Sequence, residues 1–411
     1  MDSILSFSLS SSDTCVEDFD IQVFETDFPE QPCESFGYDY RLNKFRNYID
    51  NIKAENWKKV RWYINEYDFL VKDPIINRAF YKYWEIINEF EIFETYKDTD
   101  IILHCAEAPG GFIQGSNIYL QIDTLDKLQK PENVTKDEDG FMTVINRKKK
   151  KNKKDYKIYT ISLNKDLPQY KTYNLPSYNK NVVNKYVCVT YGKDNTGDIN
   201  NWENLDYIKY LSNNLFFLIT ADGGFDEGTD FNNKEQLHYA LILSEIYGAI
   251  RLQQKNGHFI LKVFDVFTQT SVHLLYLLSL CYKEVNIYKP KTSRPTNSEK
   301  YVVCKYFQLT ESKREKILKN LLYLSNQLRN NKSKYISFSL FSCIPISFSK
   351  NIFDMNKSLM TKQCNALEQA VQLCNDDTFI QKYDDILESS IENRKAVFRN
   401  WEDYYNLISY V

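Results

Sequence analysis

Between Ile101 and Tyr306 the chain alternates short apolar runs with amphipathic stretches of helical length. That alternation constrains the fold more than any other feature. Ile101–Cys105, Ile158–Leu163, Leu215–Thr220, His258–Phe264, Glu284–Tyr288 and Tyr301–Tyr306 have the length and apolar content of buried strands. Between them, residues 233–254 place Leu237, Ala240, Leu241, Ser244, Tyr247 and Ile250 near a 3.6-residue period, and Gly257 stops that helix. Val272–Tyr282 reads as a buried helix. Strands that alternate with helices predict an α/β fold, a mostly parallel sheet with helices on both faces. Such a sheet binds ligands beyond the carboxyl ends of its strands.

The flanks differ from this pattern. Residues 1–40 hold ten acids and no Lys or Arg, and they read as an acidic, flexible leader with one strand at Ile21–Phe24. Residues 41–95 read as helical, with Leu42–Phe69 and Ile75–Phe93 separated by Asp73-Pro74. The α/β domain then covers 96–307. It is interrupted at 124–157 by an insertion whose end, Asn146–Lys157, carries eight basic residues and one acid. Residues 308–411 read as a helical extension, clearest at Glu311–Arg329 and Met360–Asn375.

Composition excludes several classes. The net charge of -3 becomes +7 once the ten leader acids are set aside, so a basic body that can hold polyanions carries an acidic leader. No run of 18 apolar residues occurs, which predicts no membrane span. The first residues lack a basic n-region, which predicts no secretion signal and a cytoplasmic protein. Nine cysteines without a CxxC pair point to a reducing compartment, and four histidines argue against a metal centre. The 31 tyrosines and 26 phenylalanines fit AT-rich coding, as in some large DNA viruses or protists.

Four places within the α/β pattern bear chemistry. The first strand ends in Ala106-Glu107-Ala108-Pro109-Gly110-Gly111-Phe112, a turn whose glycines let the backbone approach a ligand. It is neither GxGxxG nor GxxxxGK[ST], so the dinucleotide fingerprint and P-loop phosphate chemistry are excluded. Asp222, ahead of Gly223 and Gly224, falls at a strand's carboxyl end. Lys262 interrupts an apolar strand, where an ammonium is costly unless paired, and Asp222 is a candidate partner. Finally, the polar loop Lys289–Lys300 places Glu299 where it meets the last strand. Each has an ordinary counterpart: a tight turn, a turn aspartate, a snorkelling lysine, a loop.

Taken together, PGGF, DGG, the lysine after HFIL and SRPTNSE ahead of YVV resemble the FtsJ-like (RrmJ-type) family of S-adenosylmethionine-dependent RNA 2′-O-ribose methyltransferases. Within it the likeness is to the cap-specific mRNA enzymes of eukaryotes and large DNA viruses. The resemblance covers roughly residues 75–307. It implies a Rossmann-like methyltransferase sheet with helical N- and C-terminal extensions. The family's Lys-Asp-Lys-Glu tetrad falls on Lys82, in the segment Asn77-Arg78-Ala79-Phe80-Tyr81-Lys82, and on Asp222, Lys262 and Glu299. For the cofactor, S-adenosylmethionine, the resemblance implies Asn77, Ala106 through Phe112, and Asp198 and Ile199 in Thr196-Gly197-Asp198-Ile199. For RNA it implies Asn232 and Asn297.

Two departures stand out. The family often has an acid five residues before the proline, where this chain has His104, with Glu107 as a possible substitute nearer the turn. No acid follows the strand at 158–163, where Asn164 is the nearest polar residue.

The implied reaction is attack of a ribose 2′-oxygen on the methyl of a sulfonium, with Lys262 as base or as orienting ammonium. No metal is implied. The implied substrate is the first transcribed nucleotide of capped mRNA, whose flat cationic guanine would stack on aromatics such as Trp57, Trp62, Tyr191 or Trp202. Capping or transcription machinery is the implied partner and, for a viral chain, the host cytoplasm or the virion the implied location. Methylation of ribosomal or transfer RNA, and a non-catalytic RNA- or partner-binding scaffold on the same fold, are the rival readings.

Overall fold

The computed structural model describes residues 6–9, 19–67, 74–121, 135–136, 142–143, 156–224, 231–330 and 335–407. The basic run of the insertion falls almost wholly outside them. In chain order the elements begin with strands β1 (Ser6–Ser8) and β2 (Gln22–Thr26) and helices α1 (Arg41–Ile49), α2 (Ala54–Ile64) and α3 (Ala79–Glu89). Next come β3 (Ile101–Cys105), α4 (Gly111–Gln121), the short pair β4 (Thr135–Lys136) and β5 (Met142–Thr143), β6 (Lys157–Ile161) and β7 (Val187–Thr190). They are followed by α5 (Trp202–Ser212), β8 (Phe216–Ala221), α6 (Lys234–Leu237), α7 (Tyr239–Leu252), β9 (Gln253–Val263), α8 (Gln269–Cys281), β10 (Tyr282–Tyr288) and β11 (Lys300–Phe307). The tail adds α9 (Glu311–Asn330), β12 (Tyr335–Ser339), α10 (Ile346–Cys374), α11 (Asp377–Gln381) and α12 (Tyr383–Tyr404).

Eight strands form one sheet in the order β1-β10-β11-β9-β8-β3-β6-β7. The pairs from β7 to β9 are parallel, whereas β9–β11, β11–β10 and β10–β1 are antiparallel. The expected mostly parallel sheet is therefore a mixed one. A parallel strand needs a crossover from the strand before it. The α8 crossover makes β10 run the same way as β9, and the loop 289–299 then returns β11 between them in the opposite direction.

Alternate residues of the central strands face two cores. Leu103, Ile219 and Leu261 pack under α5, α7 and α8. Ile102, Leu218 and Ile260 pack under α3 and α4. The predicted coverage of both faces is thus met.

Several local expectations shift. The helix read over 233–254 breaks at His238, and α7 ends at Leu252, not near Gly257. Gln253 explains that end: its buried carboxamide donates to Phe216 O and Phe217 O at 2.7 and 3.0 Å and accepts from Tyr282 Oη, so the backbone turns extended there. Strand β7 and helix α5 went unread between polar, asparagine-rich segments, although Asn201 caps α5 by accepting from Glu203 N. Ahead of residue 41, β1 joins the main sheet and β2 pairs with β12 of the tail. The tail is otherwise helical. Helices α1 and α2 pack on α10, Leu42 against Met360 and Val60 against Ala370. The eight described cysteines are unpaired, and among the described residues no helix is long and apolar enough to cross a membrane.

Glu85, on α3, links three parts of the molecule. This fully buried carboxylate accepts from the backbone N–H groups of Lys291 and Thr292, from Tyr288 Oη and from Trp401 Nε1 at 2.7–3.1 Å. Trp84 Nε1 in turn donates to Tyr405 O at 3.1 Å. Burial pushes the carboxyl's pKa up, and these donors offset part of that shift.

Candidate active site

Strand register brings the site together. In the parallel pair β8–β9, Ala221 stands beside Leu261, so Asp222 and Lys262 emerge at the same level. In the antiparallel pair β9–β11, Lys262 faces Tyr301 and Val263 faces Lys300, so β11 begins where its neighbours end. Glu299 thereby reaches the same edge. Helix α3 brings Lys82 to it from outside the sheet.

The four charged groups form a connected row. Lys82 Nζ lies 2.5 Å from Glu299 Oε1, and Lys262 Nζ lies 3.3 Å from Asp222 Oδ1 and 2.7 Å from Asp222 O. The buried hydroxyl of Tyr301 joins the two pairs, 3.0 Å from Asp222 Oδ1 and 3.4 Å from Glu299 Oε1. Ser293 Oγ also stands 3.4 Å from Glu299 Oε1. Neither Tyr301 nor Ser293 was singled out in the sequence; the available signal was the position of Tyr301 two residues past Glu299 on an apolar strand.

Electrostatics fixes the charge states. Burial opposes ionisation of Glu299, but Lys82 and Lys262 outweigh it and hold the carboxyl down at about 2. Burial likewise pulls Lys262 down, but Asp222, Glu299 and Glu245 outweigh it, and its pKa lies above the ordinary lysine value. Lys262 is thus an ammonium at neutral pH. Burial, then Asp222 and Glu299, raises the Tyr301 phenol far out of reach of deprotonation.

The turn after β3 lies beside this row. Ala106 sits in the left-handed region at φ 56° and donates its N–H to Ile161 O at 2.7 Å, while Ala108 N donates to Ser162 Oγ at 3.2 Å. Gly110 has φ 111°, where a side chain would be strained. At Gly111 a Cβ would stand 2.2 Å from Asn77 Oδ1 and 2.8 Å from Phe80 N, so only glycine lets α4 start against the head of α3. Asn77 itself accepts from Ala79 N at 3.1 Å, holding the first turn that leads to Lys82. Pro109 presents its carbonyl to Asn179 N at 3.0 Å. Phe112 has its ring in the core, stacked 4.7 Å from Tyr83, so only its backbone is left for a ligand.

Glu107 is buried and accepts from Thr220 Oγ1 at 2.8 Å. Burial, then Asp222, pushes its carboxyl well above the usual range. His104, in the place where an acid was anticipated, lies in a polar chain in the core: Nδ1 is 2.7 Å from Thr220 Oγ1 and Nε2 is 3.0 Å from Ser116 Oγ, which lies 2.6 Å from Tyr83 Oη. Burial lowers the imidazole's pKa to about 3, so it is neutral. If Thr220 donates to Glu107, Nδ1 carries the proton.

Other anticipated residues fall along or away from this edge. Asn164 is tied to the loop after β7 through Asn195 O and Thr196 O, which sets Asp198 beside the end of β6. Asp198 Oδ1 accepts from Asn200 N at 2.9 Å, while Ile199 is buried in the core. Asn297 turns inward: its Oδ1 accepts from Glu299 N at 2.5 Å and its carbonyl accepts from Lys289 Nζ at 2.5 Å, so it braces Glu299. Asn232 donates to Asn47 Oδ1 of α1 at 2.6 Å. Among the aromatics offered for stacking, Trp202 is buried 3.7 Å from Tyr247, which removes it from a surface role. Trp62 is exposed.

A twisted sheet with helices on both faces, a glycine turn after its central strand and charged groups gathered at the strand ends make up a Rossmann-like methyltransferase domain. The chain belongs to the FtsJ-like methyltransferase family, whose model matches residues 75–307. It is 28% identical over 349 residues to the zebrafish (Danio rerio) cap-specific mRNA (nucleoside-2′-O-)-methyltransferase 2, a match covering 81% of this chain and 42% of that protein. To methyltransferase 1 of the same fish it is 35% identical over 199 residues, 46% of this chain and 24% of that one. It is also 32% identical over 189 residues to a Caenorhabditis briggsae protein named an inactive cap-specific mRNA methyltransferase 1B, 44% of this chain and 22% of that one. The chain thus spans less than half the length of these relatives. Since an inactive relative matches nearly as well, identity alone does not decide activity.

The cofactor of this family is S-adenosylmethionine. The edge suits it. Glu107, Asp222 and Glu245 lie close enough to act on Lys262 or on one another, and a ligand bearing a sulfonium and an ammonium would favour the ionised forms that burial opposes at Glu107 and Glu245. The glycine turn and the Asp198 loop follow parallel strands of the sheet and so lie along the same edge.

Proposed function

We propose that this chain is an RNA (nucleoside-2′-O-)-methyltransferase acting on the first transcribed nucleotide of capped mRNA. The observation that carries the reading is the unbroken row Lys82–Glu299–Tyr301–Asp222–Lys262 at the strand ends. S-adenosylmethionine bound there supplies an electrophilic methyl and a neutral thioether leaving group. Lys262 uses two of its N–H groups on Asp222 Oδ1 and Asp222 O, which leaves a third for the ribose 2′-oxygen. As an ammonium it orients that oxygen and stabilises negative charge developing on it, so the orienting role is favoured over that of base; as the O–C bond forms and the C–S bond breaks, the hydroxyl proton leaves to solvent. Lys82, held by Glu299, offers a second cation to the same substrate. The alignment of oxygen, methyl and sulfur supplies most of the acceleration, because the donor is already activated.

RNA phosphates would be held by the basic body. The match of 81% of this chain to a cap-specific relative favours capped mRNA over ribosomal or transfer RNA. Capping or transcription machinery is the partner that such a substrate implies. Mass spectrometry of capped and uncapped transcripts after incubation with S-adenosylmethionine tests the reading. A 2′-O-methyl on the first nucleotide of capped RNA only is the result expected. Equal methylation of uncapped RNA would move the substrate to another RNA class, and donor binding without transfer to any RNA would favour the scaffold.

A further inference from the structure

The loop that carries Glu299 is held by lysines at its own two ends. Lys289 follows β10 and Lys300 opens β11, and between them they take three successive main-chain carbonyls. Lys289 Nζ donates to Asn297 O at 2.5 Å and to Glu299 O at 2.8 Å, and Lys300 Nζ donates to Ser298 O at 3.1 Å. Lys300 also donates to Phe264 O, two residues past Lys262, which ties the segment to the end of β9. Backbone N–H groups or water could satisfy such carbonyls, whereas withdrawing an amine from water for the purpose is costly. Burial lowers Lys289 to about 7, with Lys300 and Lys82 adding to that and Glu299 and Asp265 opposing it. A neutral amine still has two N–H groups, enough for two carbonyls, so the hold does not depend on the charge.

Glu299 is thereby fixed on both sides of its Cα. Its N–H donates to Asn297 Oδ1 at 2.5 Å, and its carbonyl accepts from Lys289. With the main chain held at both points, the carboxylate is directed at Lys82 Nζ, 2.5 Å from Oε1. Ser293 Oγ lies 3.5 Å from Lys289 Nζ and 3.4 Å from Glu299 Oε1, so an earlier part of the loop is drawn to the same point. We propose that Lys289 is a positioning residue of this site: it grips the carbonyls of Asn297 and Glu299 and so aims the Glu299 carboxylate at Lys82, while Lys300 holds the carbonyl between them. Lys289 belongs to none of the four motif positions. It acts through Glu299, and the inference rests on the reading above for what Glu299 and Lys82 do.

K289M keeps an unbranched apolar stem and removes both donors. Single-turnover methyl transfer to capped RNA is measured for the wild type, K289M, E299A and the double variant. K289M is expected to transfer about tenfold more slowly than the wild type, and the same change made in E299A to cost less than about twofold, because nothing is left to position. A merely structural role would slow both backgrounds alike. S-adenosylhomocysteine binding and thermal midpoint report that the variants are folded. An equal loss in both backgrounds, or no loss in folded K289M, overturns the proposal. Should K289M not fold, K289Q, whose amide nitrogen stands one bond nearer the main chain, is read in the same cycle by the same criteria. A wild-type chain that methylates no RNA overturns the reading above, and hydrogen exchange of the peptide spanning Asn297–Glu299, followed without donor or RNA, then decides this one. Exchange about fivefold faster in K289M than in the wild type supports it, and equal exchange overturns it.

Discussion

Tyr301 stands directly across the antiparallel ladder from Lys262, and its hydroxyl reaches past the lysine to bridge Asp222 and Glu299. The hydroxyl, with one proton to donate, lies between two carboxylates that are each matched to their own lysine. Replacing Tyr301 by phenylalanine keeps the ring and removes the bridge. A hydrogen bond to a charged acceptor contributes about 1.5–3 kcal/mol. Y301F is therefore expected to lose about tenfold or more in kcat with S-adenosylhomocysteine affinity unchanged, measured by single-turnover methyl transfer and calorimetry.

Lys262→Ala removes the ammonium whose third N–H is left for the substrate oxygen. Turnover should fall by about 10²–10⁴-fold while cofactor binding survives, because the glycine turn and the Asp198 loop are untouched. Near-normal turnover of purified K262A would exclude Lys262 from the reaction.

Gly111→Ala places a methyl against Asn77 Oδ1 and Phe80 N. The head of α3 must move, and Lys82 moves with it. Stability should fall by about 1–3 kcal/mol in a urea titration, with transfer reduced beyond what that loss explains. Wild-type stability in G111A would show that α3 yields at no cost.

Lys300 is a second buried lysine, 4% exposed, and donates to Phe264 O and to Ser298 O. Burial lowers it to about 8, against an ordinary 10.5. Below pH 8 the folded and unfolded chains both carry this proton and the cost of burying the charge is felt in full. Between about pH 8 and 10.5 only the unfolded chain keeps the proton, so stability rises with pH across that window. Denaturation midpoints measured from pH 7 to 10 should climb for the wild type. They should climb less for K300M, which has no such proton. Parallel curves for the two proteins would contradict the assignment.

The tetrad was legible because its members sit in motifs with fixed places relative to strand ends, and parallel register then brings Asp222 and Lys262 level without further information. Tyr301 was not legible. It is an aromatic in an apolar strand, and only pairing across the sheet gives it a place in the site. Asn297 has a structural part that its motif does not show: its Oδ1 accepts from the backbone N–H of Glu299. The mixed sheet escaped notice because strand direction lies in the connections, not in the apolar runs.

Glu85 sits three residues beyond Lys82 and takes one of its donors, Trp401, from far outside the stretch that matches the family. A chain trimmed at residue 307 would strip that indole away and expose an acid whose surroundings were built to be dry. The portion that looks like an accessory is thus a keystone for the helix bearing the first lysine, and a minimal enzyme cut to the family's outline would carry a loosened amine.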